Sequence, residues 1–354
     1  MAHFNIYLAL LWCLLHAVFS TEKSYDDHKP PWMINVPPDW FDRPHDKSRL
    51  QNIEQTDMHQ DGKTTMLLYM ASLIDDRLAR VKGFTDGEMV DMAEHFFWGK
   101  SGGLAIELGA LDGTWRTHSQ TEDLEDFGWM RILIDGNPKY RKSMPKLAPK
   151  SYCVLGAICM TDDDDKHKIV HYQSKGYVGG ILEFMSDRFL KDYHTEVYKA
   201  GTPYGNLTSV NWDSPDMQRL AITPVHCIRL SAILTHARAQ HINFFILDVE
   251  GGEFEVLQSI SWERTTFDVL CIETEKVNRP VGYEAKITDF LALRGYTLYA
   301  SVGRNTWYTR KGFVRSSRPG TKADCFNGAR KSALADSNYR NRRNDPFVLC
   351  KDLK

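Results

Sequence analysis

The sequence lacks a strong net charge and lacks the short motifs of several common catalytic chemistries. Its 354 residues carry 44 Lys and Arg against 46 Asp and Glu, a formal net charge of -2. No whole-chain field therefore favours nucleic acid or a membrane surface, and the basic residues near the C-terminus lack the interleaved aromatics of a nucleic-acid site. No H-E-x-x-H, C-x-x-C, P-loop or G-x-S-x-G pattern occurs, so neither a metal site nor a nucleic-acid partner is predicted.

The N-terminus also lacks an apolar run long enough to span a membrane comfortably. "MAHFNIYLALLWCLLHAVFS" is apolar from Ile6 to Phe19, and a span needs about 20 residues. Val18 and Ser20 suit the small-residue pattern before a cleavage site, which predicts a signal peptide over residues 1–20. A type II signal-anchor is the alternative, because Lys and Arg are absent from the leader. Either interpretation puts the rest of the chain in the secretory lumen or outside the cell.

A lumenal location makes the seven cysteines and the single N-x-S/T sequon relevant. Cys325 and Cys350 lie in the polar tail, where a disulfide would help to hold a segment with little core. An N-glycan is predicted at Asn206, which lies in a loop rich in Gly, Pro and Asn. The cysteines predicted as buried thiols, because they lie in apolar, strand-like contexts, are Cys153, Cys159, Cys227 and Cys271.

The chain divides by composition into a leader and three further segments. Residues 21–62 are polar and interrupted by proline, which predicts a stem, and residues 316–354 form a basic C-terminal tail. The globular domain is predicted over 63–315, and it begins with helices at 64–81 and from Thr85 onward. Short apolar runs then alternate with helix-like stretches: "LAIEL", "MRILID", "YCVLGAI", "INFFILDV", "FDVLCIET" and "YTLYASV". This alternation predicts an α/β fold with a mainly parallel sheet.

The stretch "GGLAIELGALDGTW" runs from a strand into a glycine-rich turn. Gly109 permits unusual backbone angles and the close approach of a ligand, and Gly113 permits tight packing where a helix begins. Asp135 ends the next strand, about where nucleotide-binding folds place an acidic residue that accepts hydrogen bonds from ribose hydroxyls. A plain βα turn and a turn-forming Asp are the alternatives for these residues. Together with Glu107, they favour a cofactor that contains ribose.

A third signal is "FFILDVEGGEFEVL", in which acidic residues follow an apolar strand. Asp248 lies at the carboxyl end of the strand, where open α/β sheets bind ligands, and Glu250 follows two positions later. Two carboxylates at a strand end are costly unless they meet a cation, hydrogen-bond donors or water. The alternative is a favourable charge at a helix N-terminus, which accounts for Glu253 better than for Asp248.

The order and spacing of "AIELGALDG", "GWMRILIDGNP", "ILDVEGGEFEVL" and "VLCIETE" resemble FkbM-type S-adenosylmethionine-dependent methyltransferases. The wording of "ELGALDG" and "VHCIRLSAIL…HINFFILDVEGGEFEVL" is most similar to the animal Star-type branch of that family. The resemblance covers roughly residues 100–310. It implies a class I methyltransferase (Rossmann-like) fold with a seven-stranded, mostly parallel sheet and helices on both faces. The chain departs from the family pattern at Leu111, where Asn is usual, and at Asp135-Gly136, where Glu-Pro is usual.

The resemblance also implies S-adenosylmethionine as cofactor and a set of site residues. The DVEG turn would lie beside the reacting methyl group, which makes Asp248 and Glu250 the candidate catalytic residues. They would remove a proton from the acceptor or simply face the positive sulfonium. The cofactor-binding residues implied by the family pattern are Glu107, Gly109, Ala110, Asp112, Gly113, Asp135, Asn137, Ala157 and Ile158, with Asp162 a weaker candidate.

Two functions follow from these motifs. The first is methyl transfer to an oxygen or nitrogen of an unidentified small-molecule, glycan or protein acceptor in the secretory pathway. The second is non-catalytic: Star-type proteins are associated with the trafficking of membrane cargo between the endoplasmic reticulum, Golgi and endosomes, so the fold would serve as a scaffold. The retained acidic residues favour the enzyme, and the altered motif positions favour the scaffold.

Overall fold

The computed structural model of the chain describes residues 30–42, 88–161, 168–176, 178–201, 210–212, 214–215, 219–220, 222–274, 279–302 and 304–318. The predicted leader, the predicted helix at 64–81, Asp162, Asn206 and the tail cysteines lie outside these residues, and the statements about them stay predictions. The chain divides into a short unit, Met1–Met33, of which residues 30–33 are described, and a main unit, Ile34–Lys354.

The described residues form seven α-helices and twelve strands. The helices are α1 Glu88–His95, α2 Met144–Leu147, α3 Asp187–Tyr193, α4 Thr195–Gly201, α5 Leu230–His236, α6 Glu253–Gln258 and α7 Tyr283–Ala292. The strands are β1 Met33–Asn35, β2 Gly103–Leu108, β3 Trp129–Asp135, β4 Tyr152–Leu155, β5 Ala157–Ile158, β6 Ile169–Gln173, β7 Gly180–Ile181, β8 Ile222–Ile228, β9 His241–Leu247, β10 Thr266–Glu273, β11 Tyr296–Val302 and β12 Asn305–Arg310. None of these described helices is long and apolar enough to cross a bilayer.

The central sheet has the strand order β1-β4-β3-β2-β9-β10-β12-β11. Strands β4, β3, β2, β9 and β10 are parallel, and β12 is antiparallel to β10 and to β11. The six apolar runs predicted as strands all contribute to this sheet, since they are long and strongly apolar. The fold is therefore α/β, as the alternation of patterns predicts.

The expected seven-stranded sheet is wrong in strand number, because the sheet formed by the described residues has eight strands and is mixed. The additional strand is β1, which pairs at the β4 edge and lies within the segment predicted as a stem. Its Asn35 amide donates to the carbonyl oxygens of Pro149 at 3.2 Å and Ser151 at 2.7 Å. Three residues flanked by prolines are too few to show strand alternation in the sequence.

Helices cover both faces of the sheet, as expected. On one face, Ala105 of β2 and Phe244 of β9 belong to an apolar cluster that includes Met92 of α1. On the other face, the Tyr152 hydroxyl of β4 lies 2.7 Å from His236 Nδ1 of α5. These two contacts lie on opposite faces because successive side chains of a strand alternate, and the strand pairing puts Tyr152 out of phase with Ala105. The sheet is thereby buried between two helical layers.

A second sheet of four strands has the order β5-β8-β6-β7, and β5 follows directly after the carboxyl end of β4. Its strands β5 and β8 pair through Ala157 and Cys227, and a disulfide joins Cys159 to Cys227 with a Cα–Cα distance of 5.7 Å. The prediction that these two cysteines are free thiols is wrong, because residues 68 positions apart in the chain meet across this sheet. Cys153 and Cys271 are buried free thiols, as predicted.

Candidate active site

A cavity of about 580 Å³ opens at the carboxyl ends of the central parallel strands. The chain proceeds from β2 outward through β3 to β4, and then returns to β9 on the other side of β2. Ligands in open α/β sheets bind at this kind of reversal, and small-molecule sites have volumes of roughly 300–1,000 Å³. The residues that line it include Gly109, Leu111, Asp135, Gly136, Ala157, Ile158, Tyr172, Ile181, Asp248 and Glu250.

The turn after β2 lies directly against the turn after β9. Gly109 has a φ of 84°, and a Cβ atom at this position would lie 2.0 Å from the Asp248 carbonyl oxygen. Its backbone N–H donates to the Ile134 carbonyl at 3.0 Å, which holds the turn over β3 as well. Only glycine accommodates both the backbone angle and this approach. The missing side chain therefore lets the loops after β2 and β9 meet, and the Gly109 backbone forms part of the cavity lining.

Asp135 joins the loop after β2 to the loop after β3. Its Oδ2 accepts a hydrogen bond from the backbone of Leu111 at 2.8 Å, and its Oδ1 accepts one from the backbone of Asn137 at 2.7 Å. Burial raises the pKa of this carboxyl group to about 7, although both hydrogen bonds oppose the rise. Each carboxylate oxygen can accept more than one hydrogen bond, so Asp135 retains acceptor capacity toward the cavity.

Glu107 is buried at the end of β2 and is held by the segment that follows the glycine-rich turn. Its Oε2 accepts hydrogen bonds from Ser119 Oγ at 2.9 Å and from the Thr121 hydroxyl. Its Oε1 accepts one from the Gln120 backbone at 2.7 Å. Burial raises the pKa of Glu107, and these donors oppose that rise. Because residues 119–121 each donate a hydrogen bond to its carboxylate, Glu107 fixes this segment beside the cavity.

The turn after β9 contains the acidic residues of the DVEG sequence. Glu250 has a φ of 55°, and Gly251 has a φ of 118° with no room for a Cβ atom, which would lie 2.4 Å from the Phe184 carbonyl oxygen. Glu253 closes the turn, because its Oε1 accepts a hydrogen bond from the Gly251 backbone at 3.1 Å. Glu253 is fully buried and is therefore a structural residue of the turn.

Arg279 and Arg304 hold a further acidic residue, Glu273 at the end of β10, beside the acidic turn after β9. Arg279 Nη2 donates to Glu253 Oε1 at 2.8 Å and to Glu273 Oε2 at 2.7 Å, and Arg304 pairs with the other Glu273 oxygen. Burial raises the pKa of Glu273, and the nearby carboxylates of Asp248 and Glu250 raise it further. Burial likewise raises the pKa of Glu250 to about 8, with a further contribution from Asp248.

The predicted site residues fall into two groups in the structure, and their roles stay predictions. Those that line the cavity are Glu107, Gly109, Asp135, Ala157, Ile158, Asp248 and Glu250. Those that lie behind the lining are Ala110, Asp112, Gly113 and Asn137, and their contacts are with the protein. Asp112 Oδ1 accepts from the Thr114 backbone at 3.0 Å, and Asn137 Nδ2 donates to Ser174 Oγ at 3.1 Å.

Sequence reasoning missed several residues that line the cavity or shape its charge: Arg116, His118, Tyr172, Glu273, Arg279 and Arg304. The rule that selected Asp248 could have selected Glu273 too, because both end apolar parallel strands. For Arg279 and Arg304 no local pattern exists, since their partners are distant in the chain.

The fold and the site define an α/β protein with a cofactor-sized cleft at the reversal of its sheet. The methyltransferase FkbM domain matches residues 108–298, which is over half of the chain, and the chain belongs to the FkbM methyltransferase family. Membership in this family implies, in general, a cofactor of the S-adenosylmethionine type. A search of curated proteins finds no match.

Two methyltransferase structures are similar to the chain at low identity. A Pyrococcus horikoshii protein, provisionally described as an RNA methyltransferase, shares 10% identity at a TM-score of 0.28, over 73% of this chain and 100% of that one. The precorrin-6y C5,15-methyltransferase of Geobacter metallireducens GS-15 shares 9% identity at a TM-score of 0.27, over 73% of this chain and 92% of that one.

Proposed function

We propose that the protein transfers a methyl group from S-adenosylmethionine to an oxygen or nitrogen atom of an unidentified small-molecule, glycan or protein acceptor. The observation that carries this proposal is the meeting of three features around one cavity: the Gly109 turn, the acidic end of β3 and the carboxylates after β9. When bound, the cofactor supplies an electrophilic methyl group on a positively charged sulfur. The residues of the chain have to bind the cofactor and the acceptor, orient them toward each other and remove the proton of the acceptor.

The cofactor side of the cavity fits a nucleoside. Asp135 has free acceptor capacity for the two hydroxyls of a ribose, at the end of the strand where α/β folds bind that group. Ala157 and Ile158 offer an apolar wall next to it, suited to the face of a purine. The left-handed turn at Gly109 brings the backbone of the loop after β2 into the cavity lining, where the methionine part of the cofactor would lie.

The acceptor side of the cavity carries the acidic turn. Asp248 and Glu250 lie at the end of β9, and we assign Glu250 as the group that takes the proton of the acceptor. In their ionised forms, these two carboxylates could instead face the positive sulfur of the cofactor. In-line positioning of two reactants in such a cleft supplies up to about 7–11 kcal/mol of the barrier reduction.

Calorimetric titration of the full chain with S-adenosylmethionine tests the cofactor. Asp135→Ala should weaken binding by roughly tenfold or more, because it removes charge-assisted hydrogen bonds worth ~1.5–3 kcal/mol. Asp126→Ala, at an exposed position, is the matched control and should bind like the wild type. Unchanged affinity in a folded Asp135→Ala protein would contradict the ribose role.

We further propose that the chain works in the secretory lumen, as a member of the Star-type branch. The supporting observations are the apolar leader and the Cys159–Cys227 disulfide, a type of bond that persists in oxidising compartments. N-terminal sequencing of protein secreted from cells should find residues 1–20 removed, and glycosidase treatment should lower the apparent mass through loss of a glycan at Asn206. Recovery of Met1 on membrane-embedded protein would favour the signal-anchor.

The non-catalytic alternative, a Star-like trafficking factor for membrane cargo, also has a supporting observation. The carboxylates of Glu107 and Asp112 are engaged by donors of the protein itself, as a rigid scaffold requires. Glu250→Gln separates the two functions, because it keeps the shape of the side chain and loses its charge. For the enzyme, cofactor-dependent methylation of lumenal extracts should fall by ~10²–10⁴-fold. For the scaffold, cargo transport should be unchanged and the wild type should methylate nothing.

A further inference from the structure

Three carboxylates converge beside the cavity, and two of them, Asp248 and Glu250, belong to its lining. Asp248, Glu250 and Glu273 each offer an oxygen atom, and these atoms all lie within 4.8 Å of one another. They come from the ends of two neighbouring parallel strands, β9 and β10, so the main sheet fixes their separation. Oxygen ligands on opposite sides of a divalent cation lie about 4–5 Å apart, because the bonds are ~2.0–2.6 Å long. The spacing of the cluster therefore matches a single ion.

The charges around this cluster do not balance. Among the described residues, four carboxylates meet there, Glu253 included, and they contact the guanidinium groups of Arg279 and Arg304. When all the groups are ionised, two negative charges are left over. One divalent ion would neutralise this excess.

Glu250 supplies an independent observation that points to a ligand. Its side chain lines the cavity, the residue is only 7% exposed, and its Oε2 accepts no hydrogen bond from the described part of the chain. Arg279 Nη2 lies 4.0 Å from this oxygen, beyond hydrogen-bonding distance. Buried polar atoms of native proteins almost always have a partner, and a partner for this oxygen can enter from the cavity.

We propose that Asp248, Glu250 and Glu273 bind a divalent cation of the Mg²⁺ or Mn²⁺ type, and that this ion coordinates a hydroxyl oxygen of the methyl acceptor. Hard divalent cations prefer ligand sets made of carboxylate oxygens. The first half of the proposal stands on the cluster alone, whereas the second half rests on the proposed function. This second half restricts the acceptor to a hydroxyl compound and the reaction to O-methylation.

The bond changes of the reaction balance without a further reactant. Coordination to the ion lowers the pKa of the hydroxyl. The O–CH₃ bond forms as the S–CH₃ bond breaks, and the proton passes to a Glu250 oxygen that does not bind the ion, and from there to water. Arg304 can leave Glu273 when the ion binds, because its side chain is 44% exposed, whereas Arg279 is 2% exposed and stays in place.

Titration of the full chain with Mn²⁺ alone, followed by electron paramagnetic resonance, tests the site without any need for activity. The wild type should bind one Mn²⁺ per chain with a dissociation constant in the micromolar to millimolar range. Asp248→Asn and Glu250→Gln should each weaken binding at least tenfold, since each removes a charged ligand. Glu263→Gln, which changes a carboxylate with 72% side-chain exposure, is the matched control and should bind Mn²⁺ like the wild type.

Two outcomes would overturn the proposal. One is the lack of saturable Mn²⁺ binding by the wild type up to millimolar concentrations. The other is Mn²⁺ binding of unchanged affinity in both folded single variants, Asp248→Asn and Glu250→Gln. Methyl transfer that continues undiminished in excess EDTA would overturn the acceptor half. A failure of the proposed methyl transfer can be distinguished from a failure of the metal site, because Mn²⁺ would then bind to the chain while S-adenosylmethionine would not.

Discussion

At the scale of single residues, the contact between Gly109 and Asp248 decides how closely two loops of the site approach. Gly109→Ala should lower the free energy of unfolding by about 3 kcal/mol or more, since it combines left-handed strain of ~1–2 kcal/mol with a backbone clash. Gly312→Ala is the matched control, because its φ is 80° but no atom lies within 4 Å of the added Cβ. Urea denaturation measures both variants, and equal losses would contradict the close approach.

The raised pKa of Asp135 predicts a pH dependence. The carboxyl group has an ordinary pKa of 3.8 and a pKa of about 7 in the folded protein, so the folded state holds its proton more tightly than the unfolded state. The resulting stabilisation is complete below pH 3.8 and is lost as the pH rises through 7. Relative to Asp135→Asn, the wild type should lose on the order of 4 kcal/mol of unfolding free energy over that range.

Chemical denaturation at a series of pH values, where both proteins fold, measures this difference. Asp126→Asn changes an exposed carboxyl group and serves as the control, since its profile should follow that of the wild type. Parallel profiles for the wild type and Asp135→Asn would mean that the Asp135 carboxyl group is not perturbed by burial.

At the scale of elements, the segment 119–121 is fixed by its hydrogen bonds to Glu107 at the end of β2. Thr121→Val keeps the shape of the side chain but removes the donor to Glu107 Oε2, which is buried. The expected loss is ~1–3 kcal/mol of unfolding free energy, the cost of an under-satisfied buried acceptor. Thr297→Val makes the same change in an exposed hydrogen bond on β11 and should be nearly neutral. A neutral Thr121→Val would show that Glu107 does not depend on this donor.

Most strands of the main sheet could be predicted, whereas β1, β12 and the second sheet could not. Five apolar runs became β2, β3, β9, β10 and β11 with small differences at their ends, whereas "YCVLGAI" divides at Gly156 into β4 of the main sheet and β5 of the second sheet. β5 and β7 contain two residues each, and they exist because of pairing with partners distant in the chain. Local sequence contains no information about such pairing.

The candidate site shows the same limit. Asp135, Asp248 and Glu250 follow apolar strands, so their common position at the carboxyl edge could be predicted. The pairing of Arg279 with Glu253 and Glu273, and the disulfide between Cys159 and Cys227, depend on how distant segments meet. Leu111 is a further case, because its φ of 54° is unfavourable for a bulky side chain and suits the Asn that is usual in the family.

At the scale of the whole molecule, the Cys159–Cys227 disulfide closes a large part of the chain into a loop. It spans 68 residues and lies next to Ala157 and Ile158, which form one wall of the cavity. Reduction should lower the free energy of unfolding by up to about 4 kcal/mol, because a loop of this length regains much chain entropy when unfolded. Thermal melts with and without reductant measure the change. Cys227→Ser should melt like the reduced wild type and should not respond to reductant, and a wild type insensitive to reductant would contradict the link.

Trp40, which lies before the methyltransferase domain, limits how far the protein can be truncated from its N-terminus. Its indole is fully buried, donates a hydrogen bond to the Ala237 carbonyl at 3.1 Å and packs 5.2 Å from the Tyr152 ring centroid. A truncated protein that begins at residue 63, the start suggested by composition, would lose this side chain and leave an apolar slot open to water. Exposed apolar surface of this kind promotes association. Recombinant forms that retain Trp40 should therefore stay monodisperse at concentrations where shorter ones precipitate.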